Sequence, residues 1–197
     1  MPQANFNLRQ DLLEAQAMVN TLNRYVRQKD IYYFIGGNLP QMTVGGLLLR
    51  LRRLRLLQDH LSLKDISKLL DIETKHSESL DQWQWHYIEK IVSELRSRQL
   101  AIRYFLAECD DSPTLCEQVY LPEAFRRTVI EHILTTLRRL DADRSDTIHR
   151  EVAYLDKDMS EVLVVNSEFL WSEELSPIYP KDTYWWLYQV PQPNNVT

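Results

Sequence analysis

Apolar residues recur through most of this chain at alternating steps of four and three positions, which is the spacing of one buried stripe on an α-helix. The first stripe predicts a helix that begins at Leu8 and ends near Lys29 or Asp30. Asn7 is its expected N-cap, with Gln10 in the reciprocal position of a capping box. The stripe consists of Leu8, Leu12, Ala15, Val19, Leu22 and Val26.

The same periodicity predicts four more substantial helices and one or two short ones. Short loops between them favour antiparallel neighbours, so the expected fold is mainly α, an irregular multi-helix bundle around its longest helix. The polar run at residues 73–79 is expected to separate a short helix from that long one. The predicted helices cover about residues 44–60, 62–72, 80–109, 122–141 and 145–162.

All four glycines lie in residues 31–57, which connect the first helix to the second and continue through it. Gly36 and Gly37 can adopt the positive φ that a tight turn requires, so this stretch is predicted to form a crossover loop. Gly45 and Gly46 follow at the start of the second helix, where the lack of side chains lets two helices pack closely.

The start of this second helix is also a candidate anion site. Its first backbone N–H groups, at Gly45 and Gly46, have no partner within the helix, and the helix dipole favours a negative charge there. Arginines follow, but at 100° per residue they point in four directions and form no single stripe for a phosphate backbone. The arginines are Arg50, Arg52, Arg53 and Arg55.

The last segment, residues 166–197, differs from the helical bundle domain predicted for residues 1–165. It is rich in proline and in aromatic residues, a composition typical of an extended chain that packs on a surface. Two alternatives stay open at this stage: the segment covers its own bundle, or its aromatic side chains bind a partner. The candidate partner-binding residues are Trp171, Tyr184, Trp185, Trp186 and Tyr188.

Charge is distributed unevenly along the chain. Residues 1–60 carry eight basic and four acidic side chains, a net +4, whereas residues 111–197 carry eight basic and fifteen acidic ones, a net −7. We expect most of this imbalance to be resolved by ion pairs within the fold or by solvent-facing surfaces. A basic patch for nucleic acid is the alternative.

The two cysteines, Cys109 and Cys116, are too few for a disulfide framework and lack the spacing of a zinc motif. Cys109 is expected to be a small core residue. No segment resembles a signal peptide or a membrane span. These observations favour a cytoplasmic protein with no membrane partner.

Four carboxylate–histidine pairs have spacings that suit metal binding or acid–base catalysis. None is accompanied by a recognisable nucleophile motif. A two-metal bundle would also need further glutamate ligands, and no motif in the sequence identifies them. The sequence therefore predicts no catalytic residues, no metal and no cofactor. The pairs are Glu73 with His76, His86 with Glu89, Glu131 with His132, and Asp146 with His149.

These features favour a non-catalytic interaction or assembly protein, which offers helical faces and the aromatic segment to a protein partner or to a second copy of itself. One alternative is a nucleic-acid-associated accessory factor that uses the arginines of residues 50–55. The other is an enzyme or small-molecule binder with a pocket between helices near the glycine crossover.

Overall fold

The computed structural model describes residues 6–111 and 113–192, with the side chains at 110, 111, 113–115 and 142 excepted. The chain is mainly α, as predicted. Its helices are α1 (Leu8–Tyr25), α2 (Val44–Leu56), α3 (Leu63–Asp111), α4 (Pro113–Leu140) and α5 (Ala142–Val162).

The chain divides into two compact units, and the division falls inside α3 between Glu94 and Leu95. The first unit is residues 7–94, and the second unit is residues 95–192 together with Phe6. The predicted division into residues 1–165 and residues 166–197 cuts the chain elsewhere and stays a prediction.

Two helices of the first unit begin where the sequence predicted. Asn7 accepts hydrogen bonds from the backbone N–H groups of Arg9 and Gln10, at 3.1 and 3.2 Å, and so caps α1. The Thr43 hydroxyl caps α2 by accepting from Gly46 N–H at 3.0 Å. Both helices end earlier than predicted, because the chain after α1 turns into an irregular link and a short 3₁₀ helix, Gln58–His60, follows α2.

The expected break at residues 73–79 is wrong, because these residues lie inside the continuous helix α3. Polar residues continue a helix when they face solvent or find partners, and Ser79 donates to Asn23 Oδ1 at 2.7 Å. The interruption comes later, at Trp83, whose φ of −127° and ψ of 30° are not helical. No glycine or proline marks this kink in the sequence.

The predicted start of α4 at Pro122 is also wrong, since the helix begins at Pro113 and contains Pro122. Proline suits the first helical position because its missing N–H would have no partner there, and that position belongs to Pro113. Asp141 caps α5 by accepting from Arg144 N–H at 3.1 Å, so this helix begins three residues before the predicted residue 145.

The second unit ends in a segment that is largely irregular. Strand β1 (Leu163–Val165) pairs antiparallel with strand β2 (Gln189–Pro191), with Val164 opposite Val190. Between them lie two short 3₁₀ helices, Glu173–Leu175 and Trp185–Tyr188.

The glycine crossover makes a sharp turn in the first unit. Gly36 and Gly37 have φ values of 102° and 58°. Residues that carry a side chain rarely adopt these positive φ values. The turn brings Tyr33 and Met42 together in an antiparallel bridge with hydrogen bonds of 3.1 and 2.7 Å.

Cys109 and Cys116 form a disulfide between the end of α3 and the start of α4, which the sequence did not predict. Cys109 is buried, as expected of a core residue. None of the described helices is long and apolar enough to span a bilayer.

Candidate functional site

A cleft of about 200 Å³ lies in the first unit, between the end of α1 and the part of α3 that follows the kink. We call it the Lys90 cleft. Its walls combine apolar, aromatic and charged side chains. They are Val26, Arg27, Gln28, Lys29, Ile31, Trp85, His86, Glu89, Lys90 and Ser93.

Lys90 holds the two sides of this cleft together. Its ammonium donates to the backbone carbonyls of Gln28 at 2.6 Å and Asp30 at 2.9 Å, beyond the end of α1. It also lies 4.6 Å from the centroid of the Tyr25 ring, whose electron-rich face attracts a cation. The residue is only 6% exposed. Burial lowers the pKa of Lys90, and the charge of Asp30 offsets part of that effect.

The kink at Trp83 places three side chains against one another at the rim. The guanidinium of Arg27 lies 4.9 Å from the Trp83 ring centroid, and it donates to the Asn23 carbonyl at 2.9 Å. The Trp83 and His86 rings meet edge to face, with centroids 5.5 Å apart. Two residues after Trp83, Trp85 is 64% exposed beside the cleft.

Cations outnumber carboxylates at the cleft. Among the described residues, Arg27, Lys29 and Lys90 form no salt bridge. The one carboxylate that lines the cleft is Glu89, and the Asp30 carboxylate is nearby. The balance is therefore positive, which suits a negatively charged ligand.

The predicted anion site at the start of α2 is occupied by the protein itself. The N–H of Gly45 donates to Glu94 Oε2 at 2.8 Å, and Glu94 is fully buried. The N–H of Gly46 is used by the Thr43 cap. An external anion would have to displace the Glu94 carboxylate, so this site stays a prediction without geometric support.

Arg50, Arg53 and Arg55 of α2 form ion pairs within the first unit. Arg50 binds Glu14, with its Nε 2.6 Å from Oε2. Arg53 lies 3.6 Å from Asp11. Burial raises the pKa of Asp11, and the positive charges of Arg53 and Arg50 counteract this.

The third pair is Arg55 with Glu73, at 3.0 Å. Arg52, the fourth arginine, is half-buried. The pairs of Arg50 and Arg53 lie within residues 1–60 and leave the net charge of that stretch unchanged, so the expectation that ion pairs resolve the imbalance stays a prediction. A role for the four arginines in nucleic-acid binding stays a prediction.

The aromatic residues of the C-terminal segment are largely enclosed in the second unit. Trp171, Tyr184 and Trp186 are 3%, 3% and 1% exposed, whereas Trp185 and Tyr188 are half-buried. Partner binding by all five stays a prediction, and it would require this segment to detach from the rest of the unit.

Trp186 is fixed to α4 by several contacts. Its indole N–H donates to Thr128 Oγ1 at 2.9 Å, and its carbonyl accepts from the Tyr120 hydroxyl at 2.8 Å. The Arg127 guanidinium lies 4.0 Å from its ring centroid and binds both Asp156 oxygens, at 2.6 and 2.8 Å.

In the first unit, Glu73 pairs with Arg55, and His76 lies 2.9 Å from the Tyr87 hydroxyl. His86 and Glu89 are both exposed beside the Lys90 cleft. No group of three or more metal-ligating side chains occurs among the residues that the structure describes.

Two more of the predicted pairs lie in the second unit. Glu131 binds Arg127 at 3.1 Å, while its neighbour His132 is buried against Tyr179 and Tyr184. His149 contacts Ser145 and Arg138 rather than Asp146.

Sequence reasoning singled out His86 and Glu89 but missed Lys90, which organises the cleft. One signal was available: Lys90 shares a helical face with Trp83 and Tyr87, where a charged residue would not be expected next to the predicted apolar stripe. Comparison of the chain with protein-family models, with curated proteins and with solved structures found no match.

Proposed function

We propose that this chain is a non-catalytic interaction protein that binds a protein partner through the Lys90 cleft and the adjoining Trp85. The observation that carries this proposal is the exposure of Trp85, 64%, beside a concave and positively charged surface. Tryptophan is enriched at the centres of protein interfaces because it buries a large area with little loss of conformational entropy.

The size of the cleft favours this function over the alternative of an enzyme or a small-molecule binder. Its volume of about 200 Å³ is below the roughly 300–1,000 Å³ of most small-molecule sites. A cleft of this size instead matches one anchoring side chain from a partner. His86 and Glu89 line the cleft, but the sequence supplies no nucleophile motif beside them.

Partner binding through the C-terminal aromatic residues is less well supported, because Trp171, Tyr184 and Trp186 are buried. Nucleic-acid binding through α2 is disfavoured by the ion pairs of Arg50, Arg53 and Arg55.

Photo-cross-linking in the cells of origin tests the proposal. A photoreactive phenylalanine derivative replaces Trp85, and the control places it at Tyr154, which is 70% exposed on α5. We expect one cross-linked partner, or a cross-linked second copy of the chain, from position 85 alone. The same products from both positions, or none from position 85, would contradict the proposal.

A cytoplasmic location belongs to the same proposal, and the disulfide of Cys109 and Cys116 makes it testable. Such bonds rarely persist in a reducing compartment, so the disulfide seen in the structure counts against this location. A cytoplasmic location therefore requires that the bond is absent in cells. Both thiols should be reduced in cells that are lysed in the presence of an alkylating reagent. A disulfide in that material would instead place the protein in an oxidising compartment.

A further inference from the structure

Two of the three cations of the Lys90 cleft are held in place before any ligand arrives. Lys90 is fixed by two carbonyls and the Tyr25 ring, and Arg27 is fixed by the Trp83 ring and the Asn23 carbonyl. Groups that are already ordered lose little entropy on binding, so more of the electrostatic attraction contributes to affinity.

These cations surround an apolar surface. Val26 and Ile31 line one side, and Trp85 lines another. The stem of a bound side chain can contact this surface while its charged end reaches the ammonium and guanidinium groups. The combination suits a short apolar stem that carries a carboxylate.

We infer that the Lys90 cleft binds an acidic peptide segment of a protein partner, with one aspartate or glutamate side chain seated against Arg27, Lys29 and Lys90. This inference rests on the proposed function and specifies the partner's chemistry. It follows from the positive balance of the cleft, the preordered Arg27 and Lys90 and a volume that holds about one side chain.

Nucleic acid fits the same surface less well. A phosphate backbone presents many charges, and it would approach Glu89 at the cleft and a chain whose net charge is −5. Nucleic-acid binders usually show a basic domain overall. A single carboxylate can enter the cleft while the rest of its peptide stays clear of Glu89.

NMR titration of the full chain, labelled with ¹⁵N, tests the inference with hexaglutamate as the probe. The indole N–H signals of Trp83 and Trp85 report on the cleft, and the other three tryptophans, all in the second unit, act as internal controls. We expect saturable shifts of the Trp83 and Trp85 signals alone. Hexaglutamine should leave every indole signal in place.

Charge reversal at Lys29 supplies the matched variant, because this side chain is exposed and holds no other part of the fold. Lys29→Glu should weaken hexaglutamate binding about fivefold or more, the size of one added repulsion and one lost attraction near water. Lys181→Glu changes the net charge of the chain equally but lies in the second unit, so it should leave binding unchanged.

Several results would overturn the inference. They are equal binding of hexaglutamine, an equal effect of both variants, tighter binding of a thymidine hexanucleotide, and equal occupancy by inorganic phosphate. If position 85 cross-links to a partner while hexaglutamate does not bind, the interaction function stands and the acidic chemistry fails. If hexaglutamate binds but position 85 cross-links to nothing, the interaction function fails.

Discussion

Replacement of Trp186 by alanine should destabilise the second unit strongly. The side chain is 1% exposed, its N–H is bound to Thr128, and Arg127 stacks on its ring. Truncation of a fully buried tryptophan costs about 3–5 kcal/mol through lost transfer energy and the cavity left behind.

The Trp186→Phe variant separates ring packing from hydrogen bonding. Phenylalanine keeps most of the buried apolar area but lacks the indole N–H, so the expected loss is about 1 kcal/mol. The Thr128 hydroxyl still donates to the Ala124 carbonyl at 2.8 Å, which limits the effect.

Urea unfolding followed by far-UV circular dichroism measures these differences in the free energy of unfolding. Trp185→Ala is the matched control, because Trp185 is half-buried next to Trp186 and should cost less. A Trp186→Ala protein within about 1 kcal/mol of the wild type, or no less stable than Trp185→Ala, would refute the role of Trp186 as an anchor. It would also reopen the hypothesis that the aromatic segment serves a partner.

Three further predictions concern the first unit. Gly46→Ala should lower the free energy of unfolding by about 1 kcal/mol, because the alanine Cβ would lie 2.8 Å from Thr43 Oγ1 and disturb the cap. A urea midpoint equal to that of the wild type would argue against this clash. Glu94→Gln should cost about 1 kcal/mol in the same assay, since it removes the negative charge at the start of α2, and a stability gain would contradict this account. Burial lowers the pKa of Lys90 below the ordinary lysine pKa of 10.5. At a pH between the lowered pKa and 10.5, the unfolded chain therefore binds more protons than the folded chain. Wild-type stability should therefore rise relative to Lys90→Met as the pH approaches 10.5 in pH-dependent urea titrations, and a parallel pH profile would show that the ammonium is not buried.

Local signals in the sequence predicted correctly where α1 and α2 begin. Asn7 and Thr43 act through hydrogen bonds to residues two and three positions ahead, so their effect is readable without knowing the fold. Local signals did not predict how far α3 extends. The polar run at residues 73–79 continues the helix because Ser79 finds Asn23, a contact between residues distant in sequence.

The candidate site is formed by contacts between residues that are distant in sequence, so it was even harder to predict. Lys90 is buried where its ammonium donates to the backbone carbonyls beyond the end of α1. Every residue has a backbone carbonyl, so the sequence does not show which carbonyls need a side-chain donor. The kink at Trp83 could not be predicted either, because no proline or glycine lies near it in the sequence. By contrast, the exposed pair of His86 and Glu89 could be proposed from spacing alone, although spacing did not reveal the cleft beside it.

The excess of basic residues in the first part of the chain therefore has two different outcomes. On α2, Arg50, Arg53 and Arg55 face carboxylates, so their charge stabilises the first unit and little of it is left to attract a ligand. At the Lys90 cleft, Lys29 and Lys90 meet no carboxylate at salt-bridge distance among the described residues. Burying an ammonium without a counter-ion costs stability unless hydrogen bonds compensate, and the carbonyls of residues 28 and 30 supply them. Because those carbonyls are neutral, only the nearby Asp30 offsets the charge of Lys90, which adds to the positive balance of the cleft.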